Sequence, residues 1–357
     1  MSSVAKVTTI AAVHGVLGAH RYPQAELTDL FTRLCLPADG HAAAVARRLH
    51  TSTSVVTRHL ALPLERYPDL DNFTEANEAF LSVAVDMGAQ AVAGALKEAG
   101  LDVGDVDLIM STTVTGIAVP SLDARIAGRL GLRPDVRRVP LMGLGCVAGA
   151  AGLARVHDYL RGAPDAVAVL VSVELCSLTV QRDDPSVANM LVSGLFGDGA
   201  AAVVLTGADR DVPGPRIVSS LSHLYPNTER ALGWDVGTGG LRIVLGVEVP
   251  ALVRQSLPSD VAMLLGKQGL SVADIDPWIC HAGGPKVIEA VEDVLGLPPD
   301  ALALTWQSLR EVGNLSSASV LHVLRDTMRA RPSTGEGWVV LLAMGPGFCT
   351  ELVLIRW

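Results

Sequence analysis

The sequence has few charged residues and no block of basic ones. Asp, Glu, Lys and Arg make up 18% of its 357 residues, and the formal net charge is −9. This balance argues against nucleic acid or an anionic membrane as the main partner. No apolar run approaches the ~18 residues that a membrane span needs. The mildly apolar stretch at residues 4–20 predicts a first strand rather than a signal peptide.

Metal-binding spacings and a disulfide framework are also missing. The nine histidines show no HxxxH spacing and the cysteines show no CxxC spacing, so we predict no metal site. The cysteines are odd in number and irregularly spaced, which indicates a reduced, cytoplasmic protein. They are Cys35, Cys146, Cys176, Cys280 and Cys349.

What the sequence does have is apolar bulk and an internal repeat. Apolar residues make up 49% of a chain longer than one ordinary core, which favours two domains or a doubled fold. Residues 96–113 match residues 265–282: each segment reads as a helix end, a glycine, a turn with an aspartate and an apolar strand. A second pair of similar segments begins at Gly145 and Gly313, each a glycine followed by small residues and a helical pattern.

The repeat predicts a mixed α/β fold with halves at residues 1–210 and 211–357. Continuous apolar strands at residues 166–175 and 337–345 indicate sheets that are covered on both faces. Helices rich in small residues can approach each other closely, so we expect two sheets with helices outside and two buried helices between them. A single dinucleotide-binding sheet is disfavoured, because the segment GLGCVAG lacks the GxGxxG spacing.

Three polar residues fall at related points of the two halves. Cys146 and Asn314 follow the matched glycines, each at the start of a central helix, and His281 follows the matched strand of the second half. Taken singly, each has a structural explanation: a buried cysteine, a histidine that caps a strand and an asparagine N-cap. The pseudo-symmetry brings all three toward one midline, which favours a shared functional site.

Such a trio suits thioester chemistry. A thiol at a helix N-terminus is expected to favour the thiolate, and a nearby histidine can take its proton. Asparagine and histidine N–H groups can hold a developing enolate, so a reaction that releases CO₂ needs no acidic residue. A cysteine protease also uses Cys, His and Asn, but its C-G-S-C-W-like signature is absent.

The order Cys146, His281, Asn314 resembles that of the type III polyketide synthases, which are chalcone-synthase-like enzymes of the thiolase fold. The bacterial alkylpyrone synthases are the most similar subgroup. The resemblance covers nearly the whole chain and implies a five-layer αβαβα sandwich and a homodimer. The segments that carry it are GLGCVAGAAGLARVHDYLRG, LFGDGAAAVVL, HAGGPKVIEAVEDVLGL, GNLSSASVLHVLRD and AMGPGFCTELVL.

The resemblance also implies roles for individual residues. Cys146 would carry the acyl chain, while His281 and Asn314 would promote decarboxylation of a malonyl thioester and stabilise its enolate. Phe196 matches the phenylalanine between the CoA tunnel and the cavity, and a second phenylalanine of the family is replaced by Ile243. The other expected substrate-binding residues are Val114, Thr115, Val119, Leu178, Thr179, Ser316, Met344 and Gly345, with Arg47 and Arg48 as candidates for CoA phosphates.

This lining is aliphatic, although Trp234 falls near a position that is often glycine in the family. An aliphatic lining favours fatty acyl starters, since each buried CH₂ contributes ~0.8 kcal/mol. We therefore expect a synthase that condenses a medium- or long-chain acyl-CoA with malonyl-CoA or methylmalonyl-CoA to alkylpyrones, with no cofactor besides the CoA thioesters. Three alternatives stay open: an alkylresorcinol synthase, a β-ketoacyl-ACP synthase III and a non-catalytic assembly partner.

Overall fold

The computed structural model describes residues 7–37, 40–331 and 336–357. Over these ranges the strands are β1 Thr8–Leu17, β2 His20–Pro23, β3 Thr57–Leu60, β4 Leu108–Thr112, β5 Arg137–Leu141, β6 Val167–Leu175, β7 Asp198–Thr206, β8 Arg216–Leu224, β9 Leu232–Gly237, β10 Gly240–Leu245, β11 Ile275–Cys280, β12 Trp338–Gly345 and β13 Cys349–Arg356. The helices are α1 Gln24–Cys35, α2 His41–Ser52, α3 Phe73–Ala99, α4 Leu122–Leu130, α5 Ala148–Gly162, α6 Val187–Leu195, α7 Val249–Gly266, α8 Pro285–Leu295, α9 Ala303–Val312 and α10 Ser319–Ala330.

The large sheet consists of two half-sheets that meet along one short ladder. Its strand order is β11-β12-β13-β8-β1-β7-β6-β4-β5. Strands β1 and β8 pair only through Thr8 with Ile217 and Thr9 with Arg216. The first half-sheet therefore comes from the N-terminal half of the chain and the second from the C-terminal half. The hairpins β2–β3 and β9–β10 form two small separate sheets.

Helices cover the outer faces of both half-sheets and fill the space between them. Helix α3 contacts β1, β6 and β7, whereas α7 contacts β8 and β13. Helices α5 and α10 contact strands of both halves. The predicted five layers, with two buried helices in the middle, are confirmed.

Small residues let the two central helices approach each other. A Cβ on Gly149 in α5 would lie 2.3 Å from the Ser317 carbonyl oxygen, just before α10. That distance is far inside van der Waals contact, so only glycine fits there. Strand β6 packs against this layer and is buried along its whole length, as its continuous apolar sequence predicts.

The first pair of repeated segments folds alike in the two halves. Each segment contains a short 3₁₀ turn with a capping box, formed by Asp102 with Asp105 in one half and by Ser271 with Asp274 in the other. These turns lead into β4 and β11. The aspartates matched in the sequence are thus the ones that close the two turns.

The second pair differs in register, so the predicted equivalence of Cys146 and Asn314 is wrong in detail. Helix α5 begins two residues after Cys146, whereas α10 begins five residues after Asn314. The extra residues form the 3₁₀ turn Ser316–Ala318, and Asn314 itself forms a backbone bridge to Phe196. Asn314 lies on this bridge and not in the turn that starts the helix.

Helix α3 is long and apolar enough to cross a membrane, with a mean hydropathy of 1.5 in its most apolar window. The sequence reading expected no such segment. Half of that window is buried against the rest of the protein, and the helix packs on strands of the first half-sheet. A buried core helix meets the same criteria, so this feature is weak support for a membrane span.

Candidate active site

Cys146 lies in the 3₁₀ turn Gly145–Val147, which leads directly into helix α5. The turn is closely packed against the loop after β12. A Cβ on Gly145 would lie 2.7 Å from the Pro346 ring, and one on Gly345 would lie 2.8 Å from the Val147 backbone nitrogen. The loop at residues 344–347, which contains Gly345 and Pro346, therefore supports the turn that carries the Cys146 thiol.

His281 directly follows strand β11, and its backbone N–H donates to the Leu342 carbonyl at 2.9 Å. The side chain is 3% exposed. Its Nδ1 has no hydrogen-bond partner among the described residues. A ring nitrogen without a partner is unusual for a buried polar group.

Asn314 is held by both its backbone and its side chain. Its backbone N–H donates to the Leu195 carbonyl at 2.9 Å, and its carbonyl accepts from the Gly197 N–H at 3.0 Å. The side-chain oxygen accepts from the Ser316 N–H at 2.8 Å, and the amide nitrogen donates to the Gly283 carbonyl at 3.3 Å. The oxygen is thus committed to the backbone, and one amide hydrogen is left for another acceptor.

The structure brings Cys146, His281 and Asn314 to one cavity of about 70 Å³, called the catalytic cavity below. The thiol comes from the first half of the chain, and the other two side chains come from the second half. Phe196, Ile243 and Met344, all predicted as lining, lie on its wall. Most of the remaining wall is aliphatic, formed by Val192, Leu195, Leu232, Leu245, Val249 and Val287.

Burial acts on the protonation of the thiol and the imidazole in opposite directions. It raises the pKa of Cys146 to about 12 and lowers the pKa of His281 to about 4. The thiol donates to the Ser316 hydroxyl at 3.6 Å. The position at the start of the helix therefore does not by itself produce the expected thiolate. The cost of burying the negative charge is larger than the stabilisation that the helix dipole provides. A thiolate at this position would need a positive charge nearby to compensate it, and His281 lines the same cavity.

A buried carboxylate behind the thiol went unpredicted. Glu174 is fully buried at the end of β6. It accepts from the Val114 N–H at 3.1 Å, the Thr115 hydroxyl at 3.0 Å and the Ser317 hydroxyl. Burial raises its pKa to about 6. An acidic residue at the end of an otherwise apolar strand was the available signal.

Because of these contacts, two residues that we expected to line the catalytic cavity lie elsewhere. Val114 and Thr115 hold Glu174 and do not line the catalytic cavity. Leu178 and Thr179 also lie outside it and line neighbouring cavities. Val119 is 90% exposed. It follows the end of β4 at the surface, so within one chain it cannot line the site as expected.

Two side cavities lie in succession beside the catalytic one. The first, about 90 Å³, shares Val192, Phe196 and Ile243 with the catalytic cavity and also contains Trp234. The second, about 370 Å³, shares Tyr67, Ser177 and Thr179 with the first. The three spaces follow one another through shared walls.

The two arginines proposed for CoA lie apart from these cavities. Arg47 pairs with Asp29 at 2.5 Å, and both side chains are half exposed. Arg48 is also exposed. Neither lines the catalytic cavity or the two side cavities, so both keep the character of ordinary surface residues.

A different arginine supports the site and was missed. Arg58 is 5% exposed and donates to the Ser193 carbonyl at 2.6 Å and the Phe196 carbonyl at 2.8 Å. It therefore holds the backbone that carries Phe196 and bridges to Asn314. No local pattern marks it, because the two carbonyls lie more than a hundred residues away in the sequence.

Comparison with known proteins gives two family matches that together span the chain. Residues 2–210 match the N-terminal domain of chalcone and stilbene synthases, and residues 216–357 match the C-terminal domain. A 1,3,6,8-tetrahydroxynaphthalene synthase from Streptomyces peucetius is 55% identical over 98% of this chain and 93% of its own length. A phloroglucinol synthase from Pseudomonas fluorescens is 30% identical over 98% of this chain and 99% of its own.

Solved structures agree with these matches. The crystal structure of 1,3,6,8-tetrahydroxynaphthalene synthase from Streptomyces coelicolor, described as a bacterial type III polyketide synthase, superposes with a TM-score of 0.92 at 32% identity. The alignment covers 98% of this chain and 99% of that one. A polyketide synthase from the brown alga Ectocarpus siliculosus gives the same TM-score at 25% identity over both whole chains.

Proposed function

This chain belongs to the family of chalcone and stilbene synthases, and from that premise we propose that it builds an aromatic polyketide from malonyl-CoA alone. It is a type III polyketide synthase, a decarboxylating and condensing acyltransferase that uses CoA thioesters and needs no additional cofactor. The observation that carries the proposal is the convergence of Cys146, His281 and Asn314 on one apolar cavity.

The choice of malonyl-CoA as starter rests on the relative that is 55% identical. Its name gives a product with two fused rings, ten carbons, hydroxyls on alternating positions and no alkyl chain. That oxygenation pattern is what a poly-β-keto chain of malonyl-derived units gives when it closes into rings. Trp234 faces Ile243 across the β9–β10 hairpin. Its indole occupies wall space along which a straight alkyl tail would otherwise extend.

The site residues perform the condensation in two stages. The Cys146 sulfur attacks the thioester carbonyl, its proton passes to His281, and CoA leaves as the thiol. A second malonyl-CoA then places its thioester oxygen against the His281 N–H and the free Asn314 amide hydrogen. These donors stabilise the enolate that forms as CO₂ leaves. The enolate carbon attacks the acyl carbonyl on Cys146, the C–S bond to Cys146 breaks, and the sulfur leaves as a thiolate. The extended chain is then a CoA thioester, and the freed Cys146 thiolate takes it up again by the first stage.

The test is incubation with malonyl-CoA alone, and with malonyl-CoA plus lauroyl-CoA or palmitoyl-CoA, followed by mass spectrometry of the products. We expect ring-closed products from malonyl-CoA alone and no gain from a fatty starter. Products that carry the alkyl chain, with none from malonyl-CoA alone, would contradict the proposal. A strict need for acyl carrier protein would favour a β-ketoacyl-ACP synthase III instead.

Alkylpyrone synthesis from fatty acyl-CoA is the second candidate function. The observation that favours it is the aliphatic wall of the catalytic cavity, along which CH₂ groups could lie. Alkylresorcinols would need the same starter and a different ring closure. An unchanged product yield in Cys146→Ala would favour the non-catalytic assembly partner over every enzymatic function.

We also propose that the enzyme is a cytoplasmic homodimer. Ile117, Val119 and Met142 are exposed apolar residues that follow the neighbouring parallel strands β4 and β5. A second copy would cover this patch. Val119→Asp should convert the dimer to a monomer in sedimentation equilibrium, whereas Val247→Asp should not, although Val247 is 98% exposed. A wild-type monomer would contradict the proposal.

A further inference from the structure

A chain of three hydrogen-bonding groups leads from the side cavities into the protein interior. The Tyr67 hydroxyl lies 2.6 Å from the Ser177 hydroxyl, which donates in turn to the Asp198 carboxylate. That carboxylate also accepts from the Ser177 N–H at 2.8 Å and the Ala61 N–H at 2.7 Å. With Asp198 ionised, the hydroxyl hydrogens all point toward it.

The outer end of this chain borders the space that a growing polyketide would enter. Tyr67 and Ser177 line both side cavities. The first side cavity shares Phe196 and Ile243 with the catalytic cavity. An acyl chain that is attached to Cys146 and passes between these two side chains would enter the first side cavity. The Tyr67 phenol lines that cavity.

The inner end of the hydrogen-bonded chain is the Asp198 carboxylate, which has the Arg58 guanidinium as its counter-charge. Asp198 is fully buried, and burial raises its pKa to about 6. The ionisable groups that face it are the buried Arg58 guanidinium, the Tyr67 phenol and the Cys176 thiol. Burial raises the pKa of Tyr67 well above its usual value. The phenol therefore stays protonated and can pass a proton on without holding a charge.

We propose that Tyr67, Ser177 and Asp198 form a proton relay that takes a proton from the enol of the bound poly-β-keto chain and so drives ring closure. This inference rests on the proposed function. The Tyr67 oxygen is the group that contacts substrate. It is separate from the Cys146, His281 and Asn314 set, which loads and extends the chain.

The relay balances without a further reactant. The enol O–H gives its proton to the Tyr67 oxygen, Tyr67 passes its own proton to Ser177, and Ser177 passes its own to Asp198. The enolate carbon then forms a bond to a ketone carbon of the same chain, and the carbonyl electron pair moves onto the ketone oxygen. That alkoxide recovers the proton through the relay in reverse, and Asp198 is ionised again.

The alternative is that the Tyr67 and Ser177 hydroxyls have a purely structural role and only stabilise the turn at residues 64–69. Any other hydroxyl that stabilises this turn should then matter equally. Tyr22 provides the matched control: its hydroxyl accepts from the Leu64 N–H of that same turn. The experiment compares Tyr67→Phe, Ser177→Ala and Tyr22→Phe with the wild type, using malonyl-CoA. It measures CO₂ release, the ratio of ring-closed aromatic products to early-released pyrones, and the melting temperature.

We expect CO₂ release within about twofold of wild type in all three variants, and a ratio at least ~10-fold lower in Tyr67→Phe and Ser177→Ala only, as for loss of a general base. In the wild type the ratio should fall below about pH 6, where Asp198 is protonated. In Tyr67→Phe it should be low at every pH. Two independent variants keep the test decisive if one of them fails to fold.

Three results would overturn the inference. If Tyr67→Phe gave the wild-type ratio of aromatic products to pyrones, the proposed relay would be wrong and the proposed function would still hold. An equal loss in Tyr22→Phe would show that the hydroxyls only support the turn. CO₂ release without ring-closed products in the wild-type enzyme would overturn the proposed product and the relay together.

Discussion

Asn314 uses the two ends of its side-chain amide for different purposes. The oxygen accepts from the Ser316 N–H and so fixes the short turn before α10. The nitrogen keeps one hydrogen for the cavity after donating to the Gly283 carbonyl. The asparagine is therefore a backbone cap and, under the proposed function, also an enolate donor. An aspartate retains the acceptor and loses the donor, whereas an alanine loses both.

We expect Asn314→Asp and Asn314→Ala both to slow malonyl-CoA decarboxylation by about 10²–10³, the usual loss for one oxyanion donor. Asn314→Ala should also lower the melting temperature, because it leaves the buried Ser316 N–H unpaired. Asn314→Asp should lower it as well, because it places a buried carboxylate oxygen against the Gly283 carbonyl. Decarboxylation measured without a starter, beside a melting curve for each variant, checks this. Wild-type decarboxylation in either variant would show that the asparagine is only a cap.

His281 determines how the buried thiol titrates. Burial, with a further contribution from the Glu174 carboxylate, raises the pKa of Cys146 to about 12. Under the proposed function, a proton taken up by His281 compensates the thiolate charge. In His281→Ala, alkylation of Cys146 by iodoacetamide at pH 7 should be at least tenfold slower than in wild type. Its rate should still rise at pH 10, because a thiol with a raised pKa gains thiolate only at high pH.

Quantitative mass spectrometry of the peptide that contains Cys146 gives this rate free of the other four cysteines. Ile243→Leu is the control, since it alters the same cavity and keeps both the imidazole and the side chains that hydrogen-bond the thiol. Equal alkylation profiles for wild type and His281→Ala would mean that the histidine does not share the thiol proton.

At the scale of elements, the end of helix α6 connects the two halves of the site. Helix α6 ends at Leu195, and the next residue, Phe196, pairs with Asn314. The Arg58 guanidinium binds the Ser193 and Phe196 carbonyls from the other side. One buried side chain on β3 therefore fixes both the Phe196 ring in the cavity wall and the Asn314 donor.

Replacing Arg58 by methionine leaves two carbonyls without donors, so we expect a loss of about 2–5 kcal/mol in the free energy of unfolding. Arg58→Lys should recover part of this loss, since an ammonium group can reach one carbonyl, and should still slow decarboxylation. Arg47→Met is the control: that arginine sits in an exposed pair with Asp29, and exposed ion pairs contribute little to stability. Urea unfolding and decarboxylation rates measure both effects, and an Arg58→Met protein as stable as Arg47→Met would contradict the account.

The sequence could predict those elements whose determinants are local. The matched turns before β4 and β11, the fully buried strand β6 and the small residues between α5 and α10 all follow from periodicity, capping residues and residue size. The residues of the trio were found because each stands at the end of such an element. Arg58 could not be found in this way, because its function depends on carbonyls distant in the sequence.

For the whole molecule, the decisive feature is the succession of cavities between the two halves. Ile243 lies on the hairpin β9–β10 and borders both the catalytic and the first side cavity. The first side cavity can hold the distal part of a growing chain only if the chain can pass the Ile243 side chain. Product length is therefore a property of the assembled cavities and not of the catalytic trio.

Ile243→Phe should narrow that passage and shorten the products, so that chains are released after fewer extensions, while malonyl-CoA decarboxylation stays near the wild-type rate. If Ile243 is instead an ordinary packing residue, the larger ring overpacks its surroundings at ~1–3 kcal/mol and lowers stability without a shift in product length. Ile243→Leu, which conserves volume, is the control for packing. Product masses from malonyl-CoA, read beside melting curves for both variants, separate the two explanations. An Ile243→Phe enzyme that melts earlier and makes products of wild-type length would show that the side chain supports the hairpin and does not limit the chain.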